Sequence, residues 1–301
     1  MDRKINKCST WLQEYKRNVH SQSGEDGIIE KILEIIPHKD KWCVEFGAWD
    51  GFYCCNTAYL IEDKAYHAVL IEANRSKFNQ LQENLSKNKN VILLNRFVGF
   101  EDENNLDHIL STTPIPQDFD FLSIDIDGND YHAWKFIKKY IPKVVCIEFN
   151  PTIPTNIRFV QIADPSINQG SSLLSLVELG KEKGYELLSV LPFNAFFVKS
   201  EYYPLFHIKS NSPEILRTNL DAITYIFSGY DGKIFLQGFR RLPWHGLDLD
   251  ENEIQLLPRF LQKYIHNYTK IDHLTFYLYF LLRRLNKYIG KFKDNVSRLK
   301  R

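Results

Sequence analysis

The chain has 301 residues, of which 44% are hydrophobic and 25% charged, with 14 Gly and 12 Pro. These proportions belong to a soluble globular protein and exclude a fibrous or wholly disordered one, and the length allows one sizeable domain plus an accessory region. A formal net charge of +1 supplies no overall field for nucleic acid or an acidic partner, so no nucleic-acid partner is expected.

The polar leader from Met1 to Lys16 has no apolar stretch of signal-peptide length, and no run approaches the roughly 18 apolar residues of a spanning helix. Cys8, Cys43, Cys54, Cys55 and Cys146 are an odd set without a C-x-x-C pair, which reads as reduced thiols in a cytoplasmic protein. Ser23 and Asp26 have the spacing of a capping box, and Ile28, Ile29, Ile32, Leu33 and Ile36 share a helical face, so a helix is predicted over about 24–36. Five strand-like runs follow: Trp42 to Phe46, His67 to Ala73, Val91 to Phe97, Phe119 to Ile126 and Val144 to Phe149. Between them, helix-length segments around 55–63, 75–87, 103–111 and 130–140 predict the crossovers of a mostly parallel sheet. A helix over Ser171 to Lys183, ended by Gly184, leads to two runs, Tyr185 to Leu191 and Ala195 to Val198, separated only by Pro192-Phe193-Asn194. That link permits only an antiparallel hairpin. The predicted fold is therefore a doubly wound α/β domain over 1–200, with a mostly parallel seven-stranded sheet and a terminal antiparallel hairpin, the layout of a class I methyltransferase and Rossmann-like in its winding. A mixed, largely helical C-terminal extension over 201–301 is predicted to hold a hairpin around Tyr230-Asp231-Gly232 and helices over about 251–268 and 271–298.

Chemistry concentrates at the carboxyl ends of the strands, where open α/β sheets bind ligands. The first strand ends Val44-Glu45-Phe46-Gly47-Ala48-Trp49-Asp50-Gly51. Gly47 and Gly51 allow a sharp turn and close approach to a nucleotide-like ligand, and Glu45 adds a carboxylate suited to a cationic sulfonium. A plain tight turn is the alternative. The pyrophosphate-binding G-x-G-x-x-G is missing, which argues against a nucleotide-dependent oxidoreductase. Glu72, about twenty residues on in Ile71-Glu72-Ala73-Asn74, can accept both ribose hydroxyls, while Asn74 can cap the next helix. The fourth strand ends Ser123-Ile124-Asp125-Ile126-Asp127-Gly128 and the fifth Ile147-Glu148-Phe149-Asn150-Pro151. Alternation puts Asp125 and Asp127 on one side. With Glu148 and Asn150 they can form an oxygen-only site for Mg²⁺ or another divalent cation, bind substrate hydroxyls, supply a general base, or merely cap.

Together, Ser21-Gln22-Ser23-Gly24-Glu25-Asp26, the Glu45 to Gly51 stretch with Asn56-Thr57, Ile71-Glu72-Ala73-Asn74 and Ile124-Asp125-Ile126-Asp127-Gly128 resemble the FkbM-type methyltransferases over about residues 20 to 200. The resemblance implies that S-adenosylmethionine (SAM) is the cofactor, with Glu45, Gly47 and Gly51 around its methionine part and Glu72 on its ribose. Gln22 and Asn56 would lie near the same pocket, with Asp50 and Asn74 from the same motifs. It further implies an O-methyltransferase acting on a hydroxyl of a sugar, glycan precursor or similar small molecule. Asp125 with Glu148 and Asn150 also looks like the ligand set of metal-dependent catechol-type O-methyltransferases. His132, after the Asp125-Asp127 turn, and His245, beside Trp244, are candidate bases along with His20. A non-catalytic module that acts through the extension is the alternative reading. The extension ends in Arg283, Arg284, Lys287, Lys291, Lys293, Arg298, Lys300 and Arg301, with Asp294 the sole acid after 280. Such a basic amphipathic end is suited to peripheral contact with the inner face of a membrane, or to packing on the domain as a solvated tail.

Overall fold

The computed structural model describes residues 8–298, so Lys300 and Arg301 lie outside the described residues, as do the side chains of Lys287, Lys291, Lys293 and Arg298. Seven strands form one sheet: β1 (Trp42–Phe46), β2 (His67–Ile71), β3 (Val91–Leu94), β4 (Phe121–Ile124), β5 (Val144–Glu148), β6 (Tyr185–Val190) and β7 (Asn194–Lys199). Their order is β3-β2-β1-β4-β5-β7-β6. β1 to β5 run parallel, and β7 is antiparallel to both β5 and β6. This is the doubly wound, mostly parallel seven-stranded layout with a terminal antiparallel hairpin that the spacing of the runs predicts.

Apolar runs buried on both faces make these strands, and their period of two sorts the side chains into two cores. Val44, Phe46, Val69, Ile71, Leu122, Ile124, Val145 and Ile147 fill one face. Cys43, Ala68, Leu70, Phe121, Val144 and Cys146 fill the other, under Ile28, Ile29 and Ile32 of α1 (Glu25–Ile35). The crossovers are α2 (Ala58–Lys64), α3 (Arg75–Leu85), α4 (Leu106–Leu110) and α5 (Asp130–Phe136), and α6 (Leu173–Glu182) precedes the final hairpin. All five cysteines are free, and Cys43, Cys55 and Cys146 are buried.

Two local predictions are corrected. The capping box at Ser23 does not form: α1 is preceded by Gly24 in the left-handed region, with φ 106. The Asp26 carboxylate turns back instead, accepting the amides of Val19, His20 and Ser21 and the Ser21 hydroxyl on a single oxygen. The fourth strand also stops at Ile124, short of the predicted Ile126, because the chain turns there through Asp127 at φ 57.

The first compact unit ends at Leu220 and the second begins at Asp221. A short helical turn, Tyr203–Phe206, and α7 (Pro213–Leu216) belong to the first, held by Trp11 Nε1 donating to Phe206 O and by Gln13 Nε2 donating to Leu216 O. In the second, β8 (Thr224–Ser228) and β9 (Ile234–Gly238) form the predicted hairpin, and β10 (Arg241–Leu242) pairs with β11 (Leu247–Asp248). The helix expected over 251–268 is not formed: only short turns, Arg259–Leu261 and Ile265–Asn267, occur there. Pro258 has no amide to donate and disfavours helical backbone at Leu257. α8 (Lys270–Arg298) then begins at a true capping box, in which Thr269 and Asp272 exchange side-chain-to-backbone hydrogen bonds. Among the described residues, no helix is long and apolar enough to cross a membrane.

Candidate active site

The glycine turn after β1 is built for close approach. Gly47 has φ +85, and a Cβ there would lie 1.8 Å from the carbonyl oxygen of Asp125, so only glycine lets the ends of β1 and β4 come together. Gly51, at φ +83, packs against Leu81 and Leu85 of α3. Asp50 Oδ1 accepts the amides of Phe52 and Tyr53, which shapes the turn from within. Glu72, at the end of β2, is buried and ties the turn down: one carboxylate oxygen accepts the Trp49 amide at 3.0 Å and the other the Asn74 amide at 2.7 Å. Each oxygen retains a second acceptor position. Asn74 caps α3 by accepting from Ser76 and Lys77.

Glu45 points elsewhere than the resemblance implies. Strand alternation sends it to the same face as Cys43, beneath the turn. There Oε1 accepts the Asn56 amide, and Oε2 accepts the Thr57 amide, the Thr57 hydroxyl at 2.6 Å and the Cys55 thiol at 2.7 Å. Four donors occupy the carboxylate, so its role is to hold residues 55–57 under the glycine turn. Asn56 is buried with it and donates to Ser123 Oγ of β4. Gln22 is exposed on the segment that precedes α1.

Beyond β4 and β5, Asp125, Asp127 and Glu148 bring carboxylate oxygens within 4.8 Å of one another. Asp127 arrives through the left-handed turn and not through strand alternation. Asp130, at the start of α5, fixes that turn by accepting the amides of Ile126 and Gly128, both at 2.9 Å. Burial, reinforced by Asp130, Asp127 and Glu45, pushes the Asp125 carboxyl up to about 8. Burial also raises Asp130, to about 6 against its two amide donors, and with Asp125 nearby it raises Glu148. No lysine or arginine forms an ion pair with any of the three among the described residues.

Asn150 is not part of this cluster. Its Oδ1 accepts the amide and hydroxyl of Thr152, and its Nδ2 donates to Gln169 O, so it closes the base of the 151–170 loop. Asp127 takes the place expected for it. His132 is likewise engaged: Nε2 lies 2.7 Å from Gln161 O, and against a carbonyl that nitrogen must carry the proton and donate. It pins the same loop, which Gln161 organises by accepting the amides of Gln169 and Gly170. His245 is exposed in the β10–β11 turn of the second unit. His20 rests against the Phe52 ring at 5.6 Å.

Two residues of this edge escaped the sequence reading. Asn194, opposite Glu148 in the β5–β7 ladder, is buried, with Nδ2 donating to Glu25 Oε1 at 3.1 Å and Oδ1 without a hydrogen-bond partner. Glu25, fully buried at the start of α1, thereby adds a carboxylate to the same face. Glu25 stands in the Ser-Gln-Ser-Gly-Glu-Asp motif, so its acid was visible, whereas nothing local marked Asn194.

No protein-family model matches the sequence, and no curated protein matches it. Among solved structures, the chain is similar to a SAM-dependent methyltransferase from Aquifex aeolicus, at 14% identity over 64% of this chain and 98% of that one, with a TM-score of 0.37. It is similar to the N-terminal domain of EvdMO1, crystallised in the presence of S-adenosyl-homocysteine and D-fucose, at 13% identity over 64% and 94%, with a TM-score of 0.40. It is also similar to TrmK of M. capricolum in complex with S-adenosyl-homocysteine, at 11% identity over 57% and 67%, with a TM-score of 0.37. At these TM-scores none of the three bears on what the residues described above do.

Proposed function

We propose that the protein is a SAM-dependent O-methyltransferase acting on a hydroxyl of a sugar, glycan precursor or similar small molecule, with a divalent cation at the ends of β4 and β5. The observation that carries this reading is the collection, at one sheet edge, of a glycine turn that admits no Cβ, a ribose-type acceptor at Glu72, and uncompensated carboxylates beside them. SAM fits that set on its own chemistry, because its ribose needs paired acceptors and its sulfonium is a cation. When bound it supplies an electrophilic methyl group.

In this reading Gly47 lets the ends of β1 and β4 close together beneath the ligand, Glu72 accepts the ribose hydroxyls on its spare lone pairs, and Glu45 keeps residues 55–57 in place under them. Asp125, Asp127 and Glu148 would hold a hard divalent ion, whose chemistry is to lower the pKa of an acceptor hydroxyl. Without the ion, Asp125, with its carboxyl pushed up to about 8, would instead be the group matched to taking up the hydroxyl proton near neutral pH. Tyr53, 64% exposed on the glycine turn, offers a ring face of the kind that stacks on sugars, beside Trp49, whose own ring carries Lys77 Nζ at 4.0 Å.

Calorimetry tests this directly. SAM and S-adenosylhomocysteine should both bind, and Glu72→Ala should weaken them by about 1.5–3 kcal/mol, the worth of hydrogen bonds to a charged group. If neither ligand binds the intact protein, the methyltransferase reading fails and a non-catalytic binding module takes its place. Activity indifferent to a chelator would remove the ion and leave the methyl transfer.

A further inference from the structure

α8 carries a feature that methyl transfer does not use. At 100° per residue, Ile271, Leu274, Leu278, Leu281, Leu282 and Leu285 fall within about 100° of its circumference, and Tyr277 and Tyr288 run along one border. All eight are more than half exposed, from 52% at Leu281 to 76% at Ile271. The opposite side is the one that packs: Tyr279 Oη and Arg283 Nη1 both donate to Leu256 O, at 2.6 and 2.7 Å, and Phe276 meets the Tyr268 ring. A contiguous apolar stripe of this length on an otherwise anchored helix marks an interaction surface.

The charges choose the occupant. Ile271, Leu274, Leu278, Leu281 and Leu285 have the three-four spacing of a coiled-coil seam, so a second copy is the first rival. After residue 280, however, the sequence carries eight Lys and Arg (Arg283 and Arg284 the first) against Asp294 alone. Asp272, the acid at the other end of the helix, is already bonded to Lys263 and Thr269. Two copies laid parallel would bring these cationic segments together, whereas an anionic lipid surface attracts that excess positive charge while accepting the apolar stripe. We propose that α8 is an interfacial helix that lies on an anionic bilayer, leucine stripe down, without crossing it.

The test is sedimentation of the full chain with phosphatidylcholine vesicles, with and without phosphatidylserine. Binding is expected to the phosphatidylserine vesicles, falling by about tenfold or more when salt is raised well above physiological strength. Leu281→Glu should reduce it at least about tenfold, by placing a charge in the stripe. Arg284→Gln, which leaves the stripe and the Arg283 contact with Leu256 intact, should reduce it by about fivefold. Circular dichroism checks that each variant keeps its helix. Equal sedimentation with neutral and anionic vesicles, or none with either, overturns the proposal. So does a dimer in analytical ultracentrifugation without lipid that Leu281→Glu dissociates, since the stripe would then belong to a second copy.

Discussion

The two edges of the sheet treat carboxylates in opposite ways: β4 has one at each end, fully buried at the amino edge and half-buried beside an exposed Asp127 at the carboxyl edge. Before the strand, Asp120 is fully buried and receives Lys143 Nζ at 2.7 Å and the amides of Asp40 and Lys41, while Lys143 also reaches Asp40 at 3.0 Å. After the strand, Asp125 faces Asp127 and Glu148 with no such cation. The amino edge carries its counter-charge in the chain, as a structural ion triad does. The carboxyl edge carries no such counter-charge among the described residues, and in the proposed reading that place is left to a bound cation, at a cost in stability. The largest effect that follows is at the amino edge. Lys143→Met should leave Asp120 buried and unpaired and cost about 3–5 kcal/mol in urea unfolding. Asp125→Asn, which relieves repulsion, should be neutral or stabilising in the absence of divalent ions. Destabilisation by both to the same degree would erase the contrast between the edges.

The next effect separates backbone fit from ligand fit. Gly47→Ala must push the Asp125 carbonyl away and hold alanine at φ +85, a strain of about 1–3 kcal/mol, and it should weaken S-adenosylhomocysteine along with the fold. Gly184→Ala is the control: φ is +81, but no atom lies within 4 Å of the added Cβ. It should cost only the left-handed conformation, about 1–2 kcal/mol, and leave ligand affinity as it was. Equal loss of affinity in the two variants, read by calorimetry, would remove the special standing of the turn.

The contrast between the edges also explains what could be read from the sequence. Apolar runs of strand length, separated by helix-length segments, lead to all seven strands in order, though β2, β3 and β4 end two to three residues before the predicted runs do, because a sheet covered on both faces is written in local pattern while its ends are set by the turns that follow. Strand-end positions likewise place Glu72, Asp125 and Glu148 at the carboxyl edge. Which way each side chain turns is settled by contacts distant in sequence. Glu45 is claimed by Cys55, Asn56 and Thr57, Asn150 by Gln169, and His132 by Gln161. Asn194 meets Glu25 across 169 residues, a pairing that no spacing rule can express. In the second unit, amphipathic periodicity suggests a helix before α8, and Pro258 overrides it.

The smallest effect is the pH dependence of the metal-free protein, and its sign sharpens the comparison most. Asp125 and Asp130 have carboxyls raised to about 8 and about 6 in the folded chain, against a value near 4 when unfolded, and Glu148 is raised as well. Between those values the folded state holds protons that the unfolded state has released. Stability from these groups is therefore fully present below about pH 4 and is lost as pH rises towards 8, by at most about 1.4 kcal/mol per pH unit for each proton. Urea midpoints measured in chelator should fall across this window, with a shallower slope in Asp125→Asn. Mg²⁺ should flatten the wild-type slope at its upper end, because a bound cation takes over the part that the protons play. The Asp120 triad, whose cation is covalently part of the chain, should respond to neither chelator nor Mg²⁺. A midpoint that stays level from pH 4 to 8 in chelator would mean that the carboxyl edge is as well compensated as the amino edge, and the case for a cation there would go with it.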